Sequence, residues 1–477
     1  MWDSVVFLLP VLVLLSSALL LKLVWNSASG VLWRLGLGLW ARLRTRLGLP
    51  QPHSDRPQLI CKPSALARFL LRHCGALAWP TLTPWPWGDP HVQTLHSLAW
   101  PAGGAAGRVD FAREHLELRD GGIVALDWAV AAAPGGSSSS SRSRAPPAPA
   151  CPPILIVIPN SWGRRTLHLQ MLCRLALAQG FYPVVFNRRG QGGCPLVTPA
   201  LQPFGEPSDL MEAVSYIRCR HPSSSLLAVS EGSGSGLLLS YLGECGSSSY
   251  LTAAACLSPI FLGQQWFETP LPAPYRLGLL LYQKLQISRY GTALSAVMDV
   301  QRLLRCSSLR EFEEIQFCSG GTGEKGKPPS PDWEAYWERN EPLRDVDEVA
   351  VPVLCLCSWD DPVRGDPHTS LPLDLFQTSP YFLLALTGRG GHCGLRGGRE
   401  GSACWSHSAV LEYFRVVGEF LQGEERGRDA GQLPRHRTST LWTRRRRGTL
   451  LRRDRHSPAA SAQLPEELFQ WQRSYTR

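Results

Sequence analysis

Six short apolar runs, separated by stretches with helical spacing, constrain the fold of this 477-residue chain more than any other feature. Uninterrupted apolar runs of this length are typical of parallel strands that are buried on both faces, because a strand with one exposed face alternates apolar and polar residues. The runs therefore predict a central parallel sheet. They are ILIVIP (154–159), YPVVFNRRG (182–190), LLAVS (226–230), AAACLSP (254–259), VPVLCLCS (351–358) and YFLLALT (381–387).

Helical stretches lie between or after these runs. They cover residues 168–180, 208–222, 236–246 and 406–423. Alternation of strands and helices predicts an α/β fold with a mostly parallel, doubly wound sheet. From about 260 to 345 the strand signals stop and aromatic residues become frequent, which predicts a helical cap insertion. The low-complexity segment 131–150 predicts a flexible loop.

The net charge of +10 is concentrated at the C-terminal end of the chain. Residues 426–477 hold 13 arginines against four acidic residues, and RRRR stands at 444–447, so the rest of the chain is nearly neutral. We expect residues 423–477 to form a disordered basic tail. No groove-forming or aromatic elements accompany these arginines, which argues against nucleic acid as a partner and favours attraction to an anionic membrane surface.

The 14 cysteines are scattered, without a C-x-x-C pair or a spacing typical of metal ligands. Several of them stand inside the apolar runs, where cysteine behaves as a small buried hydrophobic residue. The sequence therefore predicts structural thiols, and it indicates neither a metal site nor a cofactor.

The N-terminal segment predicts a membrane anchor. Residues 5–21 form 17 uncharged residues, a length near the lower limit for a membrane span. Positive charges follow at Lys22 and Arg34, so the positive-inside rule places the following chain in the cytoplasm. We expect an anchor at 1–25, a basic juxtamembrane linker at 26–79 and a folded domain at 80–422. The alternative is a secreted protein whose signal peptide is cleaved near Ser29.

Chemistry in open α/β sheets gathers at the carboxyl ends of the strands, and three such ends carry suggestive groups. The corner SEGSGSG (230–236) joins a strand to a helix, Asp361 follows the run at 351–358, and His392 follows the last run. A corner serine, an acid and a histidine in this order predict a triad-like site. Asn160 and Ser161, which follow the first run, are the candidates for the oxyanion hole.

Several motifs resemble the AB-hydrolase-4 branch of the α/β-hydrolase superfamily over roughly residues 80–422. They are HVQT (91–94), DGGIVALDW (120–128), FNRRGQGG (186–193), SLREFEE (308–314), VPVLCLCSWDDPV (351–363) and GGHCG (390–394). The resemblance implies an α/β-hydrolase fold and the chemistry of membrane-anchored lipid and carboxylester hydrolases, with the endoplasmic reticulum as the expected membrane. It also implies that Asp361 is the acid and His392 the base. PNSWG (159–163) replaces the P-G-L-x-G of the family.

The family pattern also identifies the nucleophile position. Members place their serine ten residues after a Y-P or H-P dipeptide, and ten residues from Pro222 lead to Gly232. They place a tyrosine nine residues after that serine, and nine residues back from Tyr241 lead to Gly232 again. Glycine therefore occupies the nucleophile position. Two displaced nucleophiles stay open, namely Ser230 in an A-x-S-x-G sequence and Ser233 one place past the corner.

Two functions follow from these alternatives. Without a nucleophile, the chain is expected to be a pseudo-hydrolase or regulator of lipid metabolism that binds a lipid, a lipid ester or a regulatory protein partner. With Ser230, Asp361 and His392 as a working triad, it is expected to be a lipid carboxylester hydrolase.

Overall fold

A computed structural model describes residues 57–78, 89–99, 109–130, 151–161, 163, 166–318, 331–395 and 404–431. Within these residues nine strands form one sheet in the order β1-β9-β8-β7-β6-β4-β5-β3-β2. The strands β4 to β9 are parallel, and β1, β2 and β3 pair antiparallel with their neighbours at the two edges. The strands are β1 (Gln58–Ile60), β2 (Asp110–Glu117), β3 (Ile123–Val130), β4 (Ile154–Ile158), β5 (Tyr182–Asn187), β6 (Leu226–Glu231), β7 (Leu251–Leu257), β8 (Val353–Ser358) and β9 (Phe382–Thr387).

The helices of the described residues flank the sheet or form the cap. They are α1 (Ala65–His73), α2 (Gly75–Ala78), α3 (Pro90–Ala99), α4 (Leu167–Ala178), α5 (Ser208–Arg220), α6 (Ser235–Cys245), α7 (Gly263–Glu268), α8 (Ala273–Arg289), α9 (Gly291–Leu294), α10 (Val300–Arg305), α11 (Leu309–Phe317), α12 (Trp333–Asn340), α13 (Pro367–Ser370), α14 (Leu373–Thr378) and α15 (Trp405–Gly431).

The central strands are apolar throughout because helices cover both faces of the sheet. Successive residues of a strand point to opposite faces. In β4, Leu155 and Val157 pack in a core with α1, α4 and α15, whereas Ile154 and Ile156 pack in a second core with α5 and α6. The predicted doubly wound, mostly parallel α/β fold is confirmed.

The cap lies between β7 and β8 and comprises α7 to α12. It has an apolar core of its own, in which Phe204, Trp266, Phe267 and Trp337 stack edge to face or tilted against one another. Aromatic clusters of this kind bury a large area per residue, which compensates for the short helices. The predicted helical cap insertion is thus part of the fold.

Two boundaries differ from the sequence-based expectation. Residues 57–78, which fall in the expected linker, belong to the fold: β1 pairs with β9, and Leu66 and Leu70 of α1 pack beneath α15. At the other end α15 continues to Gly431, past residue 423 where the tail was expected to begin. The residues after 423, EERGRDAG, have no apolar periodicity, so the sequence pattern did not predict a helix there.

The remaining expected segments fall outside the described residues. These are the anchor at 1–25, most of the linker, the loop at 131–150 and the tail from 432 onward. In the described part of the chain, no helix combines the length and the apolarity needed to cross a bilayer.

Candidate active site

The corner after β6 places Gly232 opposite the base. Gly232 has a φ of +53° and begins a single 3₁₀ turn, Gly232–Gly234, that leads into α6. A Cβ built on Gly232 would lie 2.9 Å from His392 Nε2 and 3.7 Å from Asn160 Cβ. The left-handed backbone and the position next to the base are those of a nucleophile elbow. The residue at its tip has no side chain.

The acid and the base form a pair at the ends of β8 and β9. His392 Nδ1 lies 2.9 Å from Asp361 Oδ2 and 3.1 Å from Oδ1, and the carboxylate is enclosed. Asp361 Oδ1 also accepts the backbone N–H groups of Val363 and Arg364. The structure thus brings the predicted acid and the predicted base together, with Nε2 directed at the elbow.

Two further residues, Asp360 and Thr94, hold the histidine loop through its backbone. Asp360, beside the acid, accepts the backbone N–H of Gly391 at 2.9 Å. Thr94 Oγ1 accepts the backbone N–H of His392 at 2.9 Å. Thr94 belongs to the HVQT motif, so that motif fixes the position of the base.

The ion pair sets the protonation of the base. Burial works to lower the pKa of His392, but its interactions with Asp361 and Cys393 together outweigh burial and raise the pKa well above its usual value. Burial likewise works to raise the pKa of Asp361, but its interactions with His392, Arg364 and the backbone N–H of Val363 together lower that pKa. The pairing with Asp361 therefore favours the protonated form of His392. Its contribution to stability is complete below about pH 6.5 and is lost as the pH rises through the folded pKa.

Asp361→Asn is expected to lower the pKa of His392, because burial then acts on the ring without the opposing charge of the carboxylate. An NMR titration of the imidazole resonances measures this shift directly. Asp360→Asn is the matched control, since its carboxylate contacts the backbone of Gly391 and not the ring. An equal shift in both variants would contradict the assignment of Asp361 as the partner of the base.

The two serines near the corner have different surroundings. Ser230 lies inside β6, paired in register with Ile158 and Cys256, so the turn does not begin at this residue. Its side chain is buried, and its hydroxyl has no hydrogen-bond partner within the described residues. A catalytic Ser230 would have to reach the base from within the strand. Its role as a nucleophile stays a prediction.

Ser233, in the 3₁₀ turn of the elbow, contacts the predicted oxyanion loop. Its Oγ accepts the backbone N–H of Ser161 at 2.9 Å, and the two hydroxyl groups also hydrogen-bond each other. An oxyanion hole requires backbone donors that are open to the developing charge. In this structure the Ser161 donor is already used. Asn160 flanks the elbow, and its backbone C=O accepts the N–H of Gly163.

A buried cluster behind the elbow has metal-capable donors. His168, Cys404 and His407 place one ligand atom each within 4.8 Å of one another, and nitrogen and sulfur are the donors that Zn²⁺ prefers. His168 Nδ1 is 2.9 Å from a carboxylate oxygen of Glu231, the residue before Gly232. Burial works to lower the pKa of His168, but hydrogen bonds with Cys404 and Glu231 raise it. The local signal for this cluster is the Cys404-x-x-His407 spacing.

A pocket opens between the cap and the sheet. Its volume is about 750 Å³ including the solvent at its mouth, and Ser161 of the oxyanion loop lines it together with Phe204, Phe312 and Phe317. Aromatic walls are typical of small-molecule sites.

Comparisons with known proteins identify the family of the chain. Human protein ABHD15 is 53% identical over 421 residues, which cover 88% of this chain and 85% of that protein. The chain belongs to the AB-hydrolase-4 family of α/β-hydrolases. Human phospholipase ABHD3 is 27% identical over 376 residues, covering 77% of this chain and 85% of that protein. No protein-family model matches the chain.

Among solved structures, the esterase PF2001 of Pyrococcus furiosus aligns with a TM-score of 0.40 and 11% identity, covering 76% of this chain and 98% of that one. The family and the named relatives establish a lipid-related α/β-hydrolase. The similar proteins include a phospholipase and, in yeast, a monoacylglycerol lipase.

Proposed function

We propose that this family member is a pseudo-hydrolase that binds a lipid and acts as a regulator in lipid metabolism. The observation that carries the proposal is that a glycine, Gly232, stands at the elbow. A Cβ built on it would lie 2.9 Å from Nε2 of His392. An imidazole cannot activate a group that is absent, and hydrogen-bond reach is a requirement for general-base catalysis. The hydroxyl of Ser233 on the Ser161 N–H supports the same conclusion, because the oxyanion donor is engaged.

The proposal includes a membrane and a partner. The uncharged run at 5–21 supports an anchor, with the domain on the cytoplasmic side of the endoplasmic reticulum membrane. The basic residues at 426–477 support contact with an anionic membrane surface. A regulatory protein partner would then bind the domain differently when a lipid is bound and when it is not. Flotation of the full chain with liposomes, compared with a chain lacking 426–477, tests the membrane contact of the tail.

A catalytic role for Ser230 is the second candidate function. The observation in its favour is the buried Ser230 hydroxyl without a hydrogen-bond partner in the described residues, combined with an intact Asp361–His392 pair. On this alternative the protein is an active lipid carboxylester hydrolase. The strand position of Ser230 argues against it, because a 1 Å misplacement of a nucleophile can cost about 10²-fold in rate.

Labelling by a fluorophosphonate probe decides between the two. We expect the purified, folded wild type to remain unlabelled, since no activated serine faces His392. Ser230→Ala, Ser233→Ala and His392→Ala serve as matched variants. Labelling of the wild type that disappears in both Ser230→Ala and His392→Ala would overturn the pseudo-hydrolase and establish the displaced nucleophile.

A further inference from the structure

Two adjacent arginines follow β5, and they have opposite surroundings. Arg189 donates to both oxygens of Asp209 at 2.6 and 2.7 Å, and it also pairs with Asp120. Both arginines line the pocket between the cap and the sheet, but the guanidinium of Arg188 makes no such carboxylate contact within the described residues. The charge of Arg189 is therefore balanced by two carboxylates. The neighbouring Arg188 can then be examined for a counter-charge of its own.

Arg188 carries a buried charge without an ion-pair partner among the described residues. The residue is 6% exposed, its Nη1 donates to the carbonyl of Pro203 at 3.4 Å, and its Nη2 has no hydrogen-bond partner there. Burial lowers its pKa to about 10, so the group is still charged at neutral pH. A buried charge is costly unless an opposite charge pairs with it. A pocket that keeps such a group is therefore suited to bind an anionic ligand from solution.

The surroundings of Arg188 match an acyl chain with an acidic head. The aromatic side chains of Phe204, Phe312 and Phe317 line the same pocket, as does Ser161 at the oxyanion loop. Arginine presents a planar donor fork that pairs with a carboxylate or a phosphate. The polar part of the lining includes Glu313 and five glutamines, Gln191, Gln202, Gln283, Gln286 and Gln316. An aromatic wall beside a buried guanidinium is complementary to a lipid with an anionic head.

We infer that the pocket binds an anionic lipid, a fatty acid or an acyl phosphate, with its oxyanion on Arg188. This inference deepens the proposed lipid binding of the pseudo-hydrolase and rests on it. A carboxylate and a phosphate share the chemistry that Arg188 recognises, and the experiment separates them.

Glu313 on α11 makes the site sensitive to pH. It is buried, it accepts the hydroxyl of Tyr336 from α12 at 2.5 Å, and burial raises its pKa to about 7. The other groups that act on Arg188 are Asp209 of α5, which pairs with Arg189, and Tyr336 of α12. Arg189 also lines the pocket. Below about pH 7 Glu313 is neutral, so it does not compete with an anionic ligand for the charge of Arg188. Above that pH its carboxylate repels the anion, so affinity falls as the pH rises.

Binding to the full-length protein by fluorescence displacement tests the inference. The ligands are oleate, oleoyl lysophosphatidate and neutral monooleoylglycerol, which shares the acyl chain. We expect the wild type to bind at least one anionic ligand at least about tenfold more tightly than the neutral one, and Arg188→Met to remove this preference. Arg302→Met, on an exposed face of the cap, is the control for net charge. Binding of oleate alone or of the phosphate alone identifies the head and supports the inference.

Three outcomes would overturn it. They are equal affinity of the wild type for anionic and neutral ligands, no binding of either anion, and unchanged anion affinity in Arg188→Met. Equal loss of all three ligands in Arg188→Met would also count against it, because it would indicate a collapsed pocket. Fluorophosphonate labelling of the wild type, measured separately, would overturn the proposed function without touching this test.

The pH dependence provides a second readout. With an acyl sulfonate, whose own charge does not titrate in this range, the wild type should bind more weakly at pH 8 than at pH 6. Glu313→Gln should bind equally at both pH values. A wild-type affinity that is constant from pH 6 to pH 8 would contradict the role of Glu313.

Discussion

Gly232→Ser is expected to turn this protein into a fluorophosphonate-reactive serine hydrolase. A Cβ at this position lies 2.9 Å from His392 Nε2, so the ring must retreat by a few tenths of an ångström, after which the hydroxyl is within hydrogen-bond reach. The φ of +53° strains a serine, but serine nucleophiles sit on such strained turns in α/β-hydrolases. General-base assistance contributes about 10²–10⁴-fold, so we expect labelling at least about 10²-fold faster than in the wild type.

Ester turnover by this variant should depend on a second residue. The Ser161 N–H is engaged by the Ser233 hydroxyl, which leaves one donor fewer for a tetrahedral intermediate. Adding Ser233→Ala to Gly232→Ser frees that donor. Because one oxyanion donor is worth about 10²–10³-fold in kcat, the double variant should hydrolyse short-chain p-nitrophenyl esters faster than the single one.

Two controls separate chemistry from packing. Gly232→Ala introduces the same Cβ next to His392 without a hydroxyl, and Gly232→Ser with His392→Ala retains the hydroxyl without the base. Both should remain unlabelled. A folded Gly232→Ser protein that does not react would mean that the elbow and the base are not in a productive register, and the assignment of Gly232 to the nucleophile position would have to be abandoned.

The features that the sequence predicted are those with local signals. The central strands are apolar at every position because both faces are covered, and that pattern is visible in any single run. The assignment of the nucleophile position to Gly232 came from its spacing along the sequence, ten residues after Pro222 and nine before Tyr241. The structure places Gly232 beside the base. Asp361 and His392 follow strands that lie next to each other in the sheet.

The features that the sequence did not predict depend on partners far along the chain. Arg188 and Arg189 are identical neighbours, and their different roles follow from Asp120 and Asp209, which only the fold brings to one of them. The Ser233–Ser161 contact joins residues 72 positions apart. β1 is three residues long at an edge of the sheet, so its run is too short to show a strand pattern.

Arg189→Met is expected to destabilise the domain by about 3 kcal/mol, because it leaves the enclosed carboxylate of Asp209 without its counter-charge. The side chains of Arg189 and Asp209 are 9% and 4% exposed, and their contact is bidentate. The hydrogen bonds that Arg189 donates to Asp209 raise the pKa of the guanidinium further above its usual value. Urea unfolding followed by tryptophan fluorescence measures the loss.

The matched variants use arginines in other surroundings. Arg220→Met removes an exposed pair with Glu114 and should change the unfolding midpoint little, since exposed ion pairs contribute little to stability. Arg188→Met removes a buried charge that has no ion-pair partner in the described part of the chain, so without ligand it should be at least as stable as the wild type. If Arg188→Met destabilised the domain as much as Arg189→Met, Arg188 would be a structural residue, and its buried charge would need no ligand to explain it.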